Sequence, residues 1–398
     1  GDWALAHRHG RVAAVPLAVP AMAGLLATYT VTNTNDTGAG SLRQAITDAN
    51  ASAGADTIVF QGGVTGTIYV GDFLPTVTES VTITGPGRAN LTVDGSGGNQ
   101  WDLSDGNNGV LQNISISGIT IKGLDLRVYE NFTLNDVRIT ENSVNTLYQR
   151  YGTLSISNST IDNNRNFVWF NGSDTSASFT NVTFNNPSAD LNVHIKGPLT
   201  VTGTTFGATT SENISGTGSL TKTGTDTLVL SGVSSYSGTT TISQGTLSIA
   251  ADNNVGTGAV SVTGGSTLAI TGATTIDNAM TFSGAGGALS LSAAVTLSGA
   301  ISGTGSMSLT GAQTLTLSGT NTSFSGGMTI GPGSTLSAAA GSSLGTGSIT
   351  LTGSTLAVTG ATTVSNNLNL DFGFAATVSA AADVTLSGVL SNAGNLVK

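Results

Sequence analysis

Charged side chains that could do acid–base chemistry are concentrated in one stretch of the chain, residues 94–196. Enzymes that cleave polysaccharides use clustered carboxylates with a matching acid or base, and some hold Ca²⁺ between those carboxylates. No pair of carboxylates in this stretch recurs at a regular spacing beside a base, so turn-forming and solvated charges are favoured over a catalytic site. We therefore predict no catalytic residue, no metal site and no cofactor. The candidates weighed were Asp102, Asp105, Asp125, Asp136, Asp162, Lys122, Arg127, Arg138 and Arg165.

Aromatic residues gather in the same third of the chain. Trp101, Tyr148, Tyr151 and Trp169 could stack on sugar rings, because an aromatic ring offers an apolar face to the C–H groups of a pyranose. The alternative is that these bulky residues fill loops or the core. Residues 100–196 therefore leave a second function open, that of a polysaccharide lyase, glycoside hydrolase or carbohydrate-binding module.

The composition does not suit an ordinary globular enzyme. Only 9% of the residues are charged and 55 are glycine, whereas globular domains are about 25% charged. Residues 203–398 contain no arginine, and Thr, Ser and Gly alternate there with Val, Leu and Ile, which indicates β-strands. The net charge of −10 argues against a nucleic-acid partner, and the absence of cysteine excludes disulfides and thiolate metal sites.

The C-terminal half repeats itself. The segment from Ile214 to Leu220 returns from Ile301 to Met307, an offset of 87 residues, and a third copy begins at Leu390. Such self-similarity is typical of a solenoid, in which each unit buries its apolar face on its neighbours.

A shorter period runs through residues 80–207. Apolar residues recur there every 18 to 23 residues, each followed two positions later by Gly, Asn or Asp, which allow left-handed turns. This spacing predicts one coil of a parallel β-helix per anchor, and four coils of about 22 residues in each 87-residue repeat. We expect the last five anchors to stack as one buried column. The anchors are Val93, Ile116, Leu134, Ile156, Phe179 and Val201.

The chain divides into four segments. Residues 1–27 form a leader, either a signal peptide or a segment foreign to the mature protein, because two arginines precede an apolar run that ends near a small-x-small site. Residues 28–79 form an N-terminal cap, with a short amphipathic helix near 41–50 that Ser41 and Gln44 would begin as a capping box. Residues 80–207 form coils of about 22 residues, and residues 208–398 form the 87-residue repeats, which we expect to be truncated at the C-terminus.

Two stretches resemble known families. The run Ser41-Leu42-Arg43-Gln44-Ala45 resembles the Cys-Ser-Leu-Arg-Glu-Ala segment that opens many bacterial surface β-helix proteins, with Gly40 in place of the cysteine. Residues 216–250 are similar to the passenger-associated transport repeat of autotransporters, and the match recurs at residues 303–336. The resemblance implies an all-β, right-handed parallel β-helix of the pectin-lyase-like type, secreted through the outer membrane by a C-terminal β-barrel.

The function expected from these features is that of a non-enzymatic passenger, secreted or held at the surface of a Gram-negative bacterium, which acts as a rigid stalk or adhesin. Its partners would be host or matrix glycans or proteins, or further copies of itself. No nucleic-acid partner is expected, and the membrane would be contacted only through a barrel that these residues do not include.

Overall fold

A computed structural model describes the chain as a parallel β-solenoid. The described residues are 26–103, 111–142, 146–164, 168–170, 175–185, 192–195, 197–202, 204–206, 213–371, 374–391 and 396–397. All but two residues of the predicted leader lie outside them.

The N-terminal part begins with one strand and one α-helix, α1 (Leu42–Asn50), and then continues in strands. The strands are β1 (Thr28–Val31), β2 (Asp56–Phe60), β3 (Gly66–Tyr69), β4 (Val81–Thr84), β5 (Leu91–Asp102), β6 (Asn113–Ser117), β7 (Thr120–Val128), β8 (Asn131–Asn135), β9 (Arg138–Thr140), β10 (Leu147–Gln149), β11 (Thr153–Ser157), β12 (Thr160–Asp162), β13 (Val168–Phe170), β14 (Ser176–Thr180), β15 (Thr183–Asn185), β16 (Asn192–Ile195), β17 (Leu199–Thr202) and β18 (Thr205–Phe206).

The C-terminal part consists of short strands with two 3-10 turns, at Asp252–Asn254 and Gly341–Leu344. The strands are β19 (Asn213–Gly216), β20 (Leu220–Thr223), β21 (Thr227–Leu230), β22 (Thr240–Ile242), β23 (Thr246–Ile249), β24 (Val260–Thr263), β25 (Ser266–Ile270), β26 (Thr274–Ile276), β27 (Met280–Ser283), β28 (Gly287–Leu291), β29 (Val295–Leu297), β30 (Ile301–Ser302), β31 (Met307–Thr310), β32 (Thr314–Leu317), β33 (Met328–Ile330), β34 (Thr335–Ala338), β35 (Ile349–Leu351), β36 (Thr355–Val358), β37 (Thr362–Val364), β38 (Leu368–Leu370), β39 (Ala376–Ala380), β40 (Val384–Leu386), β41 (Leu390–Ser391) and β42 (Leu396–Val397).

Strands from successive coils pair in parallel and build long sheets along the solenoid. The first sheet has 13 strands and runs from β1 to β30, passing from β17 to β20 across the middle of the chain. The second sheet has 11 strands in two arms that meet at β7, one through β9, β12, β15 and β18 and the other through β10, β13, β16 and β19. A third sheet of nine strands begins at β21, a fourth of seven begins at β26, and β37 pairs with β40.

The predicted column of apolar anchors is confirmed. Ile116, Leu134, Ile156, Phe179 and Val201 occupy one register position on successive strands of the first sheet, and all are fully buried. Strand side chains alternate between two faces, so this register turns each strand's apolar side inward and its Ser and Thr side chains outward.

Val93 does not belong to this column, contrary to the alignment made from the sequence. It lies in β5 of the second sheet, where its register partners are Ile68 and Ile121. Ile83 holds the matching position beside Ile116 instead. The coil between these two isoleucines includes the 12-residue strand β5, so it is longer than the period that the alignment assumed.

The 87-residue repeat is longer than four coils, which corrects the second expectation about spacing. From Leu220 the register passes through Thr240, Val260 and Met280 to Ile301, so four coils end 81 residues later. The next six residues carry the chain onto the following face.

Equivalent strands of the two copies therefore lie on different faces of the solenoid. β20 lies in the first sheet while its equivalent β31 lies in the third, and β21 lies in the third while β32 lies in the fourth. Three successive coils, β24–β26, β27–β29 and β30–β32, visit the first, third and fourth sheets in that order. The second copy is therefore rotated about the solenoid axis by one face.

Helix α1 covers the apolar residues at the start of the solenoid, as the amphipathic pattern predicted. Its buried residues are Leu42, Ala45, Ile46 and Ala49. The Ser41 hydroxyl accepts a hydrogen bond from the backbone N–H of Gln44, at 3.2 Å. The predicted return bond, from the Ser41 N–H to the Gln44 side chain, is wrong. The Gln44 amide donates to Asp48 at 2.7 Å instead, and the Ser41 N–H donates to the Gly38 carbonyl.

Candidate functional site

Four of the charged candidates lie on or beside one arm of the second sheet, and each forms an ion pair: Asp136, Asp162, Lys122 and Arg138. Lys122 Nζ lies 3.3 Å from Asp94 Oδ2 and 3.3 Å from Glu141 Oε2. Burial opposes ionisation of Asp94, but hydrogen bonds from Ser96 and the Lys122 ammonium outweigh it and hold the pKa of that carboxyl below its usual value. The same two acids raise the pKa of Lys122. Asp94 and Lys122 are thus stabilised in their charged forms, which is unfavourable for a general acid or base near neutral pH.

Two arginines complete this ion-paired arm. Arg138 forms a two-pronged contact with Asp162, with Nε 3.0 Å from Oδ1 and Nη2 2.7 Å from Oδ2. Arg88 Nε lies 3.2 Å from Asp136 Oδ1. The Arg138–Asp162 contact links one coil to the next, and both ion pairs orient their side chains.

The remaining charged candidates lie on β5 and β7 or outside the described residues. Asp102 accepts a hydrogen bond from the Gln100 amide, and Asp125 lies two residues before Arg127 on β7. Asp105 and Arg165 lie outside the described residues. Within the described ranges, no group of three or more His, Cys, Asp or Glu side chains could hold a metal ion.

Trp101 is not a surface residue, which corrects its assignment as a sugar-binding side chain. It is fully buried, at the register position that Leu126 occupies in the next coil. Its side chain fills the solenoid core, so a saccharide cannot stack on it, and its indole Nε1 has no hydrogen-bond partner. The sequence did not reveal this because the long strand β5 interrupts the coil period.

Tyr148 and Trp169 fall at one register position on neighbouring strands of the other arm. The position is held by Arg127 on β7, Tyr148 on β10 and Trp169 on β13. Tyr148 and Tyr129 form an edge-to-face pair, with ring centroids 6.1 Å apart and planes at 64°. The side chain of Trp169 lies outside the described part of the structure.

Tyr151 lies just beyond β10 and is 45% exposed. The guanidinium of Arg150 stands over its ring, 5.3 Å from the centroid, which is a cation–π contact. Arg150 was missed by sequence reasoning because it lies in a turn, outside the alternating pattern. Below the surface, the buried Gln149 amide donates to the carbonyls of Glu130 and Tyr151, and so ties together the turns that follow β7 and β10.

We call the set Arg127, Tyr129, Tyr148, Arg150 and Tyr151 the Tyr–Arg surface. Each of these side chains is at least partly exposed. The two arms thus differ in chemistry. The charged side chains of the arm through β9 and β12 form ion pairs with one another, whereas the arm through β10 and β13 presents guanidinium groups beside aromatic rings.

Comparison with known proteins supports the assignment of the repeats. The family model of the passenger-associated transport repeat matches residues 220–249 and 307–337. The first match runs from β20 to the end of β23, and the second runs from β31 into β34. The resemblance seen in the sequence is confirmed there, while that of the segment around Ser41 stays a prediction. The chain is therefore a parallel β-solenoid that carries two repeats of a kind found in autotransporter passengers.

Other comparisons add little. A search of curated proteins returned no match. Among solved structures, the A-module of mannuronan C-5 epimerase AlgE6 from Azotobacter vinelandii aligns over 93% of this chain and 98% of its own, at 14% identity and a TM-score of 0.33. A likeness of that size does not extend to activity. Among the described residues, no helix is both long and apolar enough to cross a membrane.

Proposed function

We propose that this chain is a non-enzymatic passenger, secreted or displayed at the surface of a Gram-negative bacterium, and that it acts as a stiff adhesin or stalk. The observation that carries the proposal is the pair of transport repeats within a series of coils whose described strands pair in parallel. A solenoid is stiff because each coil packs on the next and pairs with it along its strands. Such a rod can hold a binding surface away from the cell.

The absence of catalysis is part of the proposal. The candidate acids of the charged arm, Asp136 and Asp162, are each paired with an arginine, and the buried Trp101 is removed from the list of substrate contacts. The purified chain should show no lyase or hydrolase turnover on acidic or neutral polysaccharides, with or without Ca²⁺. Turnover that disappears in Asp162→Asn would replace the adhesin by a carbohydrate-active enzyme.

Adhesion is tested with the purified rod coupled to fluorescent beads. We expect beads that carry the chain to bind host cells or extracellular matrix in a saturable way, and beads that carry the heat-denatured chain not to bind. Equal binding by the two bead types would contradict the adhesin assignment. A hydrodynamic radius typical of a sphere rather than a rod would contradict the stalk.

A further inference from the structure

We propose that the Tyr–Arg surface binds a terminal acidic sugar, a pyranose that carries a carboxylate directly on its ring. The inference rests on the proposed adhesin function and names the ligand class of that adhesin. It goes beyond the sequence-based prediction, which considered only sugar stacking on aromatic rings and included the buried Trp101.

The pairing of the Lys and Arg side chains distinguishes this surface from the rest of the described structure. Seven Lys and Arg residues lie within the described ranges, and five of them form ion pairs. The other two are Arg127 and Arg150, and neither makes a salt bridge with a described acid. Both stand beside the exposed tyrosines. In a protein with a net charge of −10, the two guanidiniums without a salt bridge to a described acid thus lie on neighbouring strands or directly after them.

Arg127 forms no salt bridge with an acid of the described ranges, although one lies close to it. Its register partner on β5 is Asp102, whose carboxylate accepts a hydrogen bond from Gln100. On the other side its register partner is Tyr148. A guanidinium in this position can offer two parallel N–H groups to an external carboxylate, which a lysine could not do.

The spacing between ring and charge points to an acidic sugar. Adjacent strands lie about 4.8 Å apart, so a pyranose stacked on Tyr148 lies beside Arg127, with a carboxylate on the sugar ring within reach of its guanidinium. Arg150 follows β10 directly and stands over the Tyr151 ring, so it offers the same ligand a second guanidinium. A neutral sugar would use the rings but leave both guanidiniums without a partner.

The extent of the surface favours one or two sugar units rather than a long polymer. The three tyrosines and two arginines all lie on two successive coils, on β7 and β10 and in the turns that follow them. The buried Gln149 holds those turns together in the absence of ligand, so little ordering is needed on binding.

The test is a calorimetric titration of the full chain with 3′-sialyllactose, which ends in an acidic sugar, and with lactose, which lacks it. We expect sialyllactose to bind at least about tenfold more tightly than lactose, and Arg127→Gln and Tyr148→Ala each to weaken that binding by about tenfold or more. Arg88→Gln is the matched control, because it removes an arginine of the ion-paired arm, and its binding should be unchanged. Circular dichroism verifies that each variant folds.

Several results would overturn the inference. These are equal binding of lactose and sialyllactose, no saturable binding of either, loss of binding in Arg88→Gln to the same degree as in Arg127→Gln, or binding of polygalacturonate with none of sialyllactose. A cell-binding assay distinguishes failure of this ligand proposal from failure of the proposed adhesin function. If beads adhere to sialidase-treated cells as well as to untreated cells, the adhesin assignment stands and the acidic-sugar ligand is wrong, whereas beads that bind no cells or matrix contradict the adhesin itself.

Discussion

The ammonium of Lys222 lies 3.2 Å from the Asp226 carboxylate while its side chain is only 1% exposed. Lys222 continues the apolar column of the first sheet, since its register partners are Val201 and Ile242. Its Nζ also donates to the carbonyls of Thr223 and Gly224, so all three N–H groups have partners in the turn after β20. A buried lysine is tolerated here because its hydrogen bonds replace those it would make with water.

The second repeat suggests how this pair can be replaced. Leu309 and Gln313 stand 87 residues after Lys222 and Asp226, and Leu309 is fully buried. We predict that the double variant Lys222→Leu, Asp226→Gln has a free energy of unfolding within about 1 kcal/mol of the wild type. The reason is that an apolar leucine then occupies the buried position. Lys222→Ala, in contrast, should cost about 2–5 kcal/mol, since it leaves a cavity that a leucine would fill. Denaturant midpoints measure both, and a double variant as unstable as Lys222→Ala would contradict the prediction.

The sequence predicted the features that depend on local pattern. The column from Ile116 to Val201 and the apolar face of α1 follow from the alternation of apolar and polar residues, which requires no knowledge of distant contacts. Turn positions were equally readable, because Asp136, Asn158 and Asn181 all have positive φ, as their residue types allow.

The predictions that failed are those that depend on coil length. The burial of Trp101 and the placement of Val93 follow from a long strand, β5, whose extra residues shift the register of one coil. The rotation between the 87-residue copies follows from coils of 20 or 21 residues, such as that from Val260 to Met280, where about 22 were assumed. Small errors in coil length accumulate over four coils, so a periodic sequence can give the correct fold and still place a copy on the wrong face.

Asp252 should make stability depend on pH. Burial raises the pKa of its carboxyl above the ordinary value of 3.8, a hydrogen bond from the Asp277 N–H lowers it, and the Asp277 charge raises it further, with a net increase. A raised pKa in the folded state means that the contribution to stability is greatest below 3.8 and is lost as the pH rises through the folded-state pKa. At pH 7 the charged Asp252 therefore destabilises the fold.

We predict that Asp252→Asn raises the unfolding midpoint at pH 7, and that its advantage shrinks as the pH falls through the raised folded-state pKa toward 3.8. The asparagine Oδ1 can still accept the hydrogen bond from the Asp277 N–H, which measures 3.1 Å in the wild type. Asp383→Asn, at an exposed site, is the control and should show no such trend. An advantage of Asp252→Asn that stayed constant between pH 3 and pH 7 would contradict the assigned cause.

Gly303 should tolerate no side chain. Its φ is +106°, and an added Cβ would lie 2.0 Å from the carbonyl oxygen of Phe282. Gly216, at the equivalent position of the first copy, has the same φ and would place a Cβ 1.9 Å from the Ile195 oxygen. The requirement is thus repeated on two different faces of the solenoid.

We predict that Gly303→Ala lowers the denaturation midpoint strongly, by a free energy of about 2–4 kcal/mol, because the backbone of the neighbouring coil must move away. Gly265→Ala is a matched control, since Gly265 also has a positive φ, +75°, but an added Cβ meets nothing within 4 Å. It should cost only about 1–2 kcal/mol, the price of the left-handed conformation alone. Equal midpoints for the two variants would show that the close approach to Phe282 is unimportant.

Asn158 links three coils through its side chain. Its Nδ2 donates to Asn135 Oδ1 at 2.8 Å, its Oδ1 accepts from Asn181 Nδ2 at 3.2 Å, and its own φ is +49°. Asn158→Ala loses both hydrogen bonds and must hold an alanine in the left-handed region, so we expect a loss of about 1–2 kcal/mol. Asn158→Gly loses the same hydrogen bonds but adopts that φ without strain, and should be the more stable of the two variants. Denaturant midpoints compare them, and an Asn158→Gly variant less stable than Asn158→Ala would show that backbone strain at this turn matters less than the entropy that glycine adds to the unfolded chain.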